Sequence, residues 1–305
     1  MADTAYEARN VTASTTWTKV LEANPERAEV KIFNTDVSIA CQYLFPDKGN
    51  PWALSFDGID DEASSSSASF VNHLVTSHKG SIVARFLVDA TTGAERTIFS
   101  VSDASSAGDY FQLKVDTNGY IVARLFVGSA SVWTMTHNFG GSTITASQYY
   151  VVEIRQDGVL PIMILNGAKV AVDLTAVTDK TAWFNALPAA LTDEVYVGAR
   201  QVSSTEDEFF AGDIDLVYVY DKIKSKTPIA MYDFDEGTST SVADKSGNAY
   251  TLTIAGTETW VVTSTGNYLH KDSVEVMFDT SNIHNALWLV ADSGSPVVNI
   301  EEKRL

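Results

Sequence analysis

Apolar and polar residues alternate along much of this 305-residue chain, and this period of two is the feature that most constrains its fold. The alternation is clearest in five separated segments: 29–32, 112–115, 121–125, 152–155 and 213–221. Successive side chains of a β-strand point to opposite faces of a sheet, so each segment predicts a strand with one buried face. The same pattern returns near the C-terminus at 274–276 and 298–301.

Turn sequences separate these strands, whereas helical patterns are scarce. Asp157-Gly158 and Asn166-Gly167 are typical of tight β-turns. The best helix candidate is 181–187, and Pro188 ends it within two turns. Many short strands joined by close turns predict an all-β sandwich.

The distribution of predicted strands suggests a discontinuous domain. Residues 1–45 supply two or three strands and residues 266–305 about three, too few at either end to bury a two-sided core. The segment 51–262 has enough strands for a sandwich of its own. We therefore predict that 51–262 is inserted into a small β-sandwich or barrel domain formed by 1–50 and 263–305. Both crossing segments have turn or linker composition.

The charge balance excludes some partners. The chain has 21 Lys and Arg against 39 Asp and Glu, a net charge of −18. Binding to duplex DNA or to an anionic membrane requires clustered basic residues, so neither is expected. The excess lies mainly in 51–262, which carries −13, against −2 for 1–50 and −3 for 263–305. We therefore expect the inserted segment to face solvent.

Cys41 is the single cysteine, so an intramolecular disulfide is excluded, and its apolar neighbours favour a buried thiol over a reactive one. The first 20 residues have no basic start followed by an apolar run, so no secretory signal is predicted. No apolar stretch approaches the roughly 20 residues that span a bilayer. We expect a chain made in a cytoplasm that does not enter membranes.

Three motifs in the middle segment resemble those of laminin-G-like and concanavalin-A-like modules. They are LSFDGIDD at 54–61, GDIDLVYVY at 212–220, and FDEG at 234–237 followed by DKSGN at 244–248. In many relatives the last block comes first, so the module looks permuted. The resemblance implies a jelly-roll sandwich for 51–262, with glycan binding as a frequent role of such modules.

The first of these motifs also predicts a metal site. Gly58 can adopt positive φ and turn the chain after the strand, so that Asp57, Asp60 and Asp61 face one loop. Carboxylates this close repel one another unless a cation or hydrogen bonds compensate them. Calcium accepts six to eight oxygen ligands, so Asp213 is predicted to complete a calcium site. The alternative is that these carboxylates accept backbone hydrogen bonds within turns.

A sugar site needs an aromatic platform for the apolar face of the ring. The candidate carbohydrate-binding residues are Trp133, Tyr110, Tyr149, Tyr150 and Trp183. The alternative is that these aromatic residues fill the core of the sandwich, as they commonly do. The fold leaves this choice open, because fold does not determine function.

The catalytic motifs that we sought are missing. None of the five histidines has a zinc-binding spacing or accompanies a G-x-S-x-G nucleophile motif. Asp213 and Asp215 are two residues apart and would share one strand face, which suits the paired carboxylates of a glycosidase. The E-x-D-x-x-E pattern of jelly-roll glucanases is missing. We predict that the protein is not an enzyme and keep a jelly-roll glycosidase as the second alternative.

The two ends resemble small virion proteins of tailed phages. The resemblance lies in 11–35, which reads VTASTTWTKVLEANPERAEVKIFNT, and in the continuation at 268–278 and 287–302. It implies the same split domain that the strand distribution predicts. The alternative is a generic β module that anchors something non-viral.

These observations together predict a structural protein of a bacteriophage. We expect a capsid decoration or stabilising protein that displays a lectin-like domain on the virion surface, assembled in the host bacterial cytoplasm. Its expected partners are the major capsid protein or another virion protein, further copies of itself, most simply as a trimer, and surface glycans. Calcium is the one cofactor expected. The first alternative is a tail-associated carbohydrate-binding protein that recognises the receptor.

Overall fold

The computed structural model describes residues 7–12, 18–21, 27–34, 41–44, 52–189, 192–223, 227–262, 267–269, 275–278, 287–291 and 297–304. The chain divides into two compact units. The first consists of Met1–Trp52 and Val262–Leu305, and the second of Ala53–Val261. The roles predicted for these parts, anchoring and display, stay predictions.

Almost all regular structure in the described residues is β. The strands are β1 Glu7–Thr12, β2 Thr18–Leu21, β3 Arg27–Asn34, β4 Cys41–Leu44, β5 Trp52–Asp57, β6 Glu62–Ser65, β7 Gly80–Val88, β8 Arg96–Ser102, β9 Tyr110–Val115, β10 Ile121–Val127, β11 Ala130–His137, β12 Tyr149–Gln156, β13 Pro161–Leu165, β14 Ala168–Lys169, β15 Asp173–Thr175, β16 Glu194–Val197, β17 Arg200–Val202, β18 Thr205–Asp207, β19 Ala211–Tyr220, β20 Ala230–Tyr232, β21 Ser241–Val242, β22 Leu252–Ala255, β23 Thr259–Val262, β24 Asn267–Leu269, β25 Glu275–Phe278, β26 Leu287–Ala291 and β27 Val297–Arg304. The described residues also form one α-helix, α1 at Ala68–Val75, and one 3-10 turn at Phe184–Ala186. The all-β prediction is confirmed, and the helix candidate 181–187 contains only the 3-10 turn.

Strands from both chain ends make up the first unit. They form two four-stranded sheets, in the orders β1-β27-β3-β25 and β2-β26-β4-β24. In the first sheet, β27 lies antiparallel between β1 and β3, with Ile300 opposite Ile32. The backbone of Cys41 in β4 pairs with Leu269 and Ala291. Nothing is described of the Cys41 side chain, so its predicted burial stays a prediction. Each sheet therefore needs both ends of the chain.

The second unit is a sandwich of two large antiparallel sheets. The nine-stranded sheet has the order β15-β11-β10-β9-β8-β16-β6-β22-β21. The eight-stranded sheet has the order β14-β13-β12-β7-β19-β5-β23, with β20 paired to β19. A two-stranded hairpin, β17–β18, stands apart from both sheets. The four alternating segments at 112–115, 121–125, 152–155 and 213–221 lie in β9, β10, β12 and β19 or at its end, as predicted.

Aromatic side chains fill the space between the two large sheets. Phe56 and Phe86 from the eight-stranded sheet each meet Phe210 edge-on, with ring centroids 6.1 Å apart. Phe111 from the nine-stranded sheet contacts the Trp183 ring at 5.3 Å. All five of these side chains are buried. Edge-to-face packing of this kind adds to the stabilisation from burial alone.

Helix α1 is an element that the period-two pattern did not predict. Ser67 caps its N-terminus by accepting a hydrogen bond from the backbone N–H of Phe70. Phe70, Val71, Leu74 and Val75 form one buried face, and the Phe70 ring stacks on Tyr250 at 4.6 Å. Apolar residues three and four positions apart lie on the same side of a helix, so this face packs against the sandwich.

Candidate functional site

The predicted acidic loop follows β5. Asp57, Asp60 and Asp61 each offer a carboxylate oxygen, and these oxygens lie within 4.8 Å of one another. Gly58 has a φ of 78°, so it makes the expected sharp turn. The structure therefore brings together three of the four residues predicted to bind calcium.

Much of the hydrogen-bonding capacity of this loop is used by backbone amides. Asp61 is buried and accepts hydrogen bonds from the N–H groups of Asp57 at 2.7 Å and Thr257 at 2.6 Å. Asp57 accepts one from Ile59 at 2.7 Å. Burial raises the pKa of Asp61, and that of nearby Glu258 as well, and the neighbouring carboxylates add to both shifts. The loop therefore has the hydrogen bonds of the alternative, in which its carboxylates accept from backbone amides within a turn. The carboxylates still repel one another.

Asp213 lies apart from this loop. It pairs with Ser55 in the register of β19 and β5, and its carboxylate accepts a hydrogen bond from the Tyr149 hydroxyl at 3.3 Å. The group of carboxylates that could share a cation does not include it. Its predicted role as the fourth calcium ligand therefore needs correction, because strand β19 carries it towards β12 instead.

Trp133 and Trp183 are core residues. Both side chains are fully buried, with their rings stacked 6.3 Å apart at an interplanar angle of 7°. The Trp133 indole N–H donates to the carbonyl of Ala182 at 3.1 Å. A sugar platform must expose one ring face, so the predicted binding role of these two tryptophans is corrected to a packing role.

Tyr110 is also covered. Its ring stacks on Phe126 at 4.9 Å, and the guanidinium groups of Arg124 and Arg200 lie 5.1 Å and 4.9 Å from its centroid. Only 5% of its surface is exposed, and burial raises its pKa. Stacked aromatic and cationic neighbours leave it no open ring face, so Tyr110 supports the sheet and does not offer a sugar platform.

The side chains of Tyr149 and Tyr150 lie on opposite faces of β12. Tyr150 is buried against Phe86 in the core, so its ring is not an exposed platform either. Tyr149 is half-buried, with the Arg85 guanidinium 4.3 Å from its ring centroid. Burial raises the pKa of Tyr149, and Asp213 adds to the shift. Of the five predicted aromatic residues, Tyr149 alone is partly open to solvent, and a cation covers its ring.

The carboxylates considered for a glycosidase do not form a matched pair. The register of β19 shifts between Ile214 and Leu216, so a bulge interrupts the strand at Asp215. Asp215 is fully buried and forms an ion pair with Arg85, whereas Asp213 is half-buried beside Tyr149. Glycoside hydrolysis requires two carboxylates that flank one substrate bond. This arrangement does not present such a pair.

The side of the nine-stranded sheet that faces away from the core holds residues the sequence did not single out. Seven polar side chains lie opposite one another in register across seven strands, and we call them the polar row: Thr134, Arg124, Gln112, Ser100, Tyr196, Ser64 and Thr253. Directly opposite residues in neighbouring antiparallel strands share a face. The row is therefore one continuous polar strip on the sheet.

A pocket of about 380 Å³ opens at the Ser64 end of the polar row. We call it the hydroxyl pocket; it is lined by Ser64, Ser65, Ser66, Ser67, Glu194, Thr251 and Thr253. Its lining is almost entirely hydroxyl and carboxylate, groups that exchange hydrogen bonds readily. The serine run at 64–67 was the only sequence signal, because β6, β16 and β22 come from distant parts of the chain.

Two carboxylates and a phenol adjoin the hydroxyl pocket. Tyr196 is buried and donates a hydrogen bond to Glu194. Glu62 accepts one from Ser64 at 3.2 Å, while its second oxygen is buried with no hydrogen-bond partner among the described residues. Burial, reinforced by the charge of Glu206, raises the pKa of Glu62 from 4.5 to about 7. Glu62 therefore exchanges its proton near neutral pH.

This shift predicts a pH-dependent stability. The raised pKa means that the folded state favours neutral Glu62, so its stabilising contribution is complete below pH 4.5 and lost as the pH rises through about 7. Allowing for solvent screening of this half-buried group, we expect a loss of about 1–2 kcal/mol. Urea unfolding between pH 4.5 and 8 should show this loss in the native chain but not in Glu62→Gln. Parallel curves for the two proteins would contradict the prediction, and Asp173→Asn, an exposed carboxylate, is the control.

An ion network holds the middle of the polar row. Glu208 accepts hydrogen bonds from Lys114 at 2.9 Å and Gln112 at 2.8 Å, and forms ion pairs with Arg124 and Arg200. Burial alone would raise the pKa of Glu208, but the cations outweigh it and lower the pKa. Since Arg200 belongs to β17, the network fastens the β17–β18 hairpin over the strip. The hydroxyl pocket lies at the other side of the row, beyond Tyr196.

The chain is similar to solved structures at low sequence identity. No family model and no curated protein match the chain. Among solved structures, the CBM40 module of the Ruminococcus gnavus IT-sialidase bound to α2,3-sialyllactose is 15% identical, with a TM-score of 0.41, over 56% of this chain and 92% of that one. A leech intramolecular trans-sialidase is 16% identical, with a TM-score of 0.44, over 58% of this chain and 27% of that one.

A heptameric SAP-like pentraxin of Limulus polyphemus is 15% identical, with a TM-score of 0.36, over 65% of this chain and 78% of that one. Similarity at this level carries no argument about function. No helix in the described part of the chain is both long and apolar enough to cross a membrane.

Proposed function

We propose that this protein displays a glycan-binding β-sandwich on the surface of a bacteriophage particle. The observation that carries the glycan-binding part is the hydroxyl pocket, a cavity of about 380 Å³ on the side of the nine-stranded sheet away from the core. Small-molecule sites commonly begin at about 300 Å³. Its size therefore suits one or two sugar rings.

The chemistry of the lining supports a polyhydroxylated ligand. Ser64 and Thr253 lie opposite each other in register and offer hydroxyls that can both donate and accept hydrogen bonds. Glu194 adds a carboxylate acceptor, and hydrogen bonds to a charged group are the stronger ones. In this proposal sugar hydroxyls, and not an aromatic stacking face, provide the recognition.

A glycan array probed with the full-length protein tests this part. We expect binding to a defined set of glycans and, in a titration with the strongest of them, a loss of about tenfold or more in Glu194→Gln, since a charge-assisted hydrogen bond is removed. Thr253→Val should also weaken binding. Thr259→Val, which removes an exposed strand hydroxyl outside the pocket, should not. No glycan binding, or equal losses in Thr253→Val and Thr259→Val, would contradict the proposal.

Calcium remains part of the proposal, now without Asp213. The support is the mutual repulsion of Asp57, Asp60 and Asp61, which a cation would relieve. Calcium at 100 times its dissociation constant should raise the free energy of unfolding by about 2.7 kcal/mol. Thermal unfolding with calcium and with a chelator measures this difference. Asp60→Asn should remove it and Asp173→Asn should keep it; equal unfolding in both conditions would reduce the loop to a hydrogen-bonded turn.

The proposal of a virion anchor rests on the first unit. Its support is the resemblance of 11–35, 268–278 and 287–302 to tailed-phage virion proteins, together with sheets that combine both chain ends. We propose that this unit docks on the major capsid protein as a trimer, with the acidic sandwich outward. Immunogold negative-stain images of the source particle should show label over the head. Label confined to the tail would favour the receptor-binding alternative, and unlabelled particles would contradict both.

The oligomeric state has a separate test. Sedimentation equilibrium of the purified full chain should give three times the chain mass if the anchor trimerises, because a small β unit buries little core and gains stability by association. A monomer at all concentrations would contradict the trimer. That result would leave the glycan-binding proposal untouched.

A further inference from the structure

A second cavity lies at the C-terminal end of helix α1, whereas the hydroxyl pocket includes the serine run that precedes this helix. It has a volume of about 570 Å³ and we call it the basic pocket; it is lined by His73, Thr76, Ser77, His78, Lys79, Asp221, Lys222 and Ile223. None of these residues lines the hydroxyl pocket. The two cavities are therefore separate sites.

The charge of the basic pocket is opposite to that of the chain. Lys79 and Lys222 contribute two positive charges against the single carboxylate of Asp221, and two imidazole rings, His73 and His78, complete the polar lining. Asp221 lies 3.5 Å from the His73 ring and 3.9 Å from the Lys222 ammonium. Net positive charge is thus gathered at one cavity of a chain that carries −18 overall.

Two of the basic side chains, Lys79 and His78, have no partner in the part of the chain that the structure describes. Within the described residues, Lys79 and His78 form no ion pair and no side-chain hydrogen bond, and both are exposed. Other cations in the described part of the chain have acidic partners, as Lys114 and Arg200 do. Two unpartnered basic side chains at the rim of a cavity are positioned to bind an anion.

The end of helix α1 would normally oppose an anion, because the last carbonyl groups of a helix carry partial negative charge. Here those carbonyls are already engaged. The Thr76 hydroxyl donates to the carbonyls of Asn72 at 2.9 Å and His73 at 3.1 Å, and the Ser77 hydroxyl also donates to that of His73, at 2.8 Å. The Ser77 N–H donates to the Leu74 carbonyl. The local hydrogen bonds reduce the repulsion that an incoming anion would meet.

A buried donor close to Lys79 also lacks a partner. The indole N–H of buried Trp183 lies next to Gly80, the residue that follows Lys79, and has no hydrogen-bond partner among the described residues. Unsatisfied buried polar groups are uncommon in folded proteins. This one is a donor, the kind of group from which an anion accepts a hydrogen bond.

We propose that the basic pocket binds a tetrahedral dianion, a phosphate or sulfate group, either free or as an ester on a larger ligand. Lys79 supplies a charge without a partner among the described residues and Lys222 a second charge, while the exposed His78 ring provides a directed hydrogen bond, since both ring nitrogens of His73 already face Asp221 and the Tyr250 hydroxyl. This site is independent of the hydroxyl pocket and of the glycan-binding proposal.

The test is a titration of the isotope-labelled full-length protein with inorganic phosphate at constant ionic strength, followed by NMR. We expect saturable shifts of the His73 and His78 ring signals. Lys79→Gln should weaken phosphate binding by about tenfold, the effect of losing one charge-assisted contact. Lys169→Gln, which removes an exposed lysine from β14, changes the net charge equally and should leave the affinity within twofold.

Glucose 6-phosphate and glucose form the second arm. Tighter binding of the sugar phosphate than of inorganic phosphate would identify an ester as the ligand, and equal binding would identify the free anion; both support the site. The anion site would be overturned if the His73 and His78 signals did not saturate, or if Lys79→Gln and Lys169→Gln lost equal phosphate affinity. It would also be overturned if glucose shifted these two histidine signals as much as glucose 6-phosphate does. The unchanged fold of each variant is verified by its thermal unfolding.

Discussion

Replacing Trp133 by alanine should lower the free energy of unfolding by about 3–5 kcal/mol, the usual cost of truncating a buried tryptophan. The side chain is fully buried, stacks on Trp183 and donates a hydrogen bond to the Ala182 carbonyl, which also accepts one from Gln156, so its removal leaves a cavity and one hydrogen bond fewer. Urea unfolding of the full-length protein measures the loss. Val177→Ala, a truncation of an exposed side chain, is the control and should change the stability by less than about 0.5 kcal/mol.

The same variant separates a packing role from a binding role. If Trp133 were a sugar platform, Trp133→Ala would abolish glycan binding with little change in stability. Our account predicts the reverse, with glycan affinity retained by the fraction of protein that stays folded. A loss of stability below about 1 kcal/mol would contradict the core assignment, since well-packed core truncations cost more.

Arg85→Met should lower the free energy of unfolding almost as much as Trp133→Ala does. The Arg85 guanidinium forms an ion pair with Asp215, whose side chain is fully buried, and removing one partner of a buried pair costs about 3–5 kcal/mol. The methionine retains an apolar side chain of similar length, but it also removes the guanidinium from the Tyr149 ring, so the loss combines the ion pair and this cation–π contact. Arg155→Met is the matched control, because Arg155 pairs with Glu153 in a more exposed position and surface pairs contribute about 0–1 kcal/mol.

A double variant tests whether the unpaired charge of Asp215 causes the loss of stability in Arg85→Met. Arg85→Met combined with Asp215→Leu removes both charges and should recover much of the stability that Arg85→Met loses, because apolar replacements of a buried ion pair are often neutral. Chemical unfolding of the single and double variants completes the cycle. If the double variant were less stable than Arg85→Met alone, Asp215 would contribute through its other contacts more than through the ion pair.

The strands of the sandwich could be predicted because their signal is local. Period-two alternation over 112–115 and 121–125 is sufficient to place β9 and β10, and a glycine-containing turn lies between them. Helix α1 was missed for a local reason too. It is only eight residues long, lies at the end of a serine run and has no acidic residue in its first turn, so the usual signs of a helix start are weak.

The candidate site could not be predicted in the same way. Aromatic residue types indicated a sugar platform, but whether a ring is buried depends on which strand lies opposite it, as for Trp133 and Trp183 in the core. The hydroxyl pocket joins 64–67, 194 and 251–253, segments that meet only after β6 has paired with β16 and β22. A site built from long-range pairing has no signature within any one segment of the sequence.

The most direct test of the central claim is to map the bound glycan by NMR. The strongest ligand from the array is titrated into the isotope-labelled full-length protein, and the shifted backbone signals are assigned. We predict that the largest shifts cluster at the hydroxyl pocket, at Ser64, Ser65, Glu194, Thr251 and Thr253. Shifts centred on the eight-stranded sheet around Tyr149, or spread over the chain without saturation, would contradict the account.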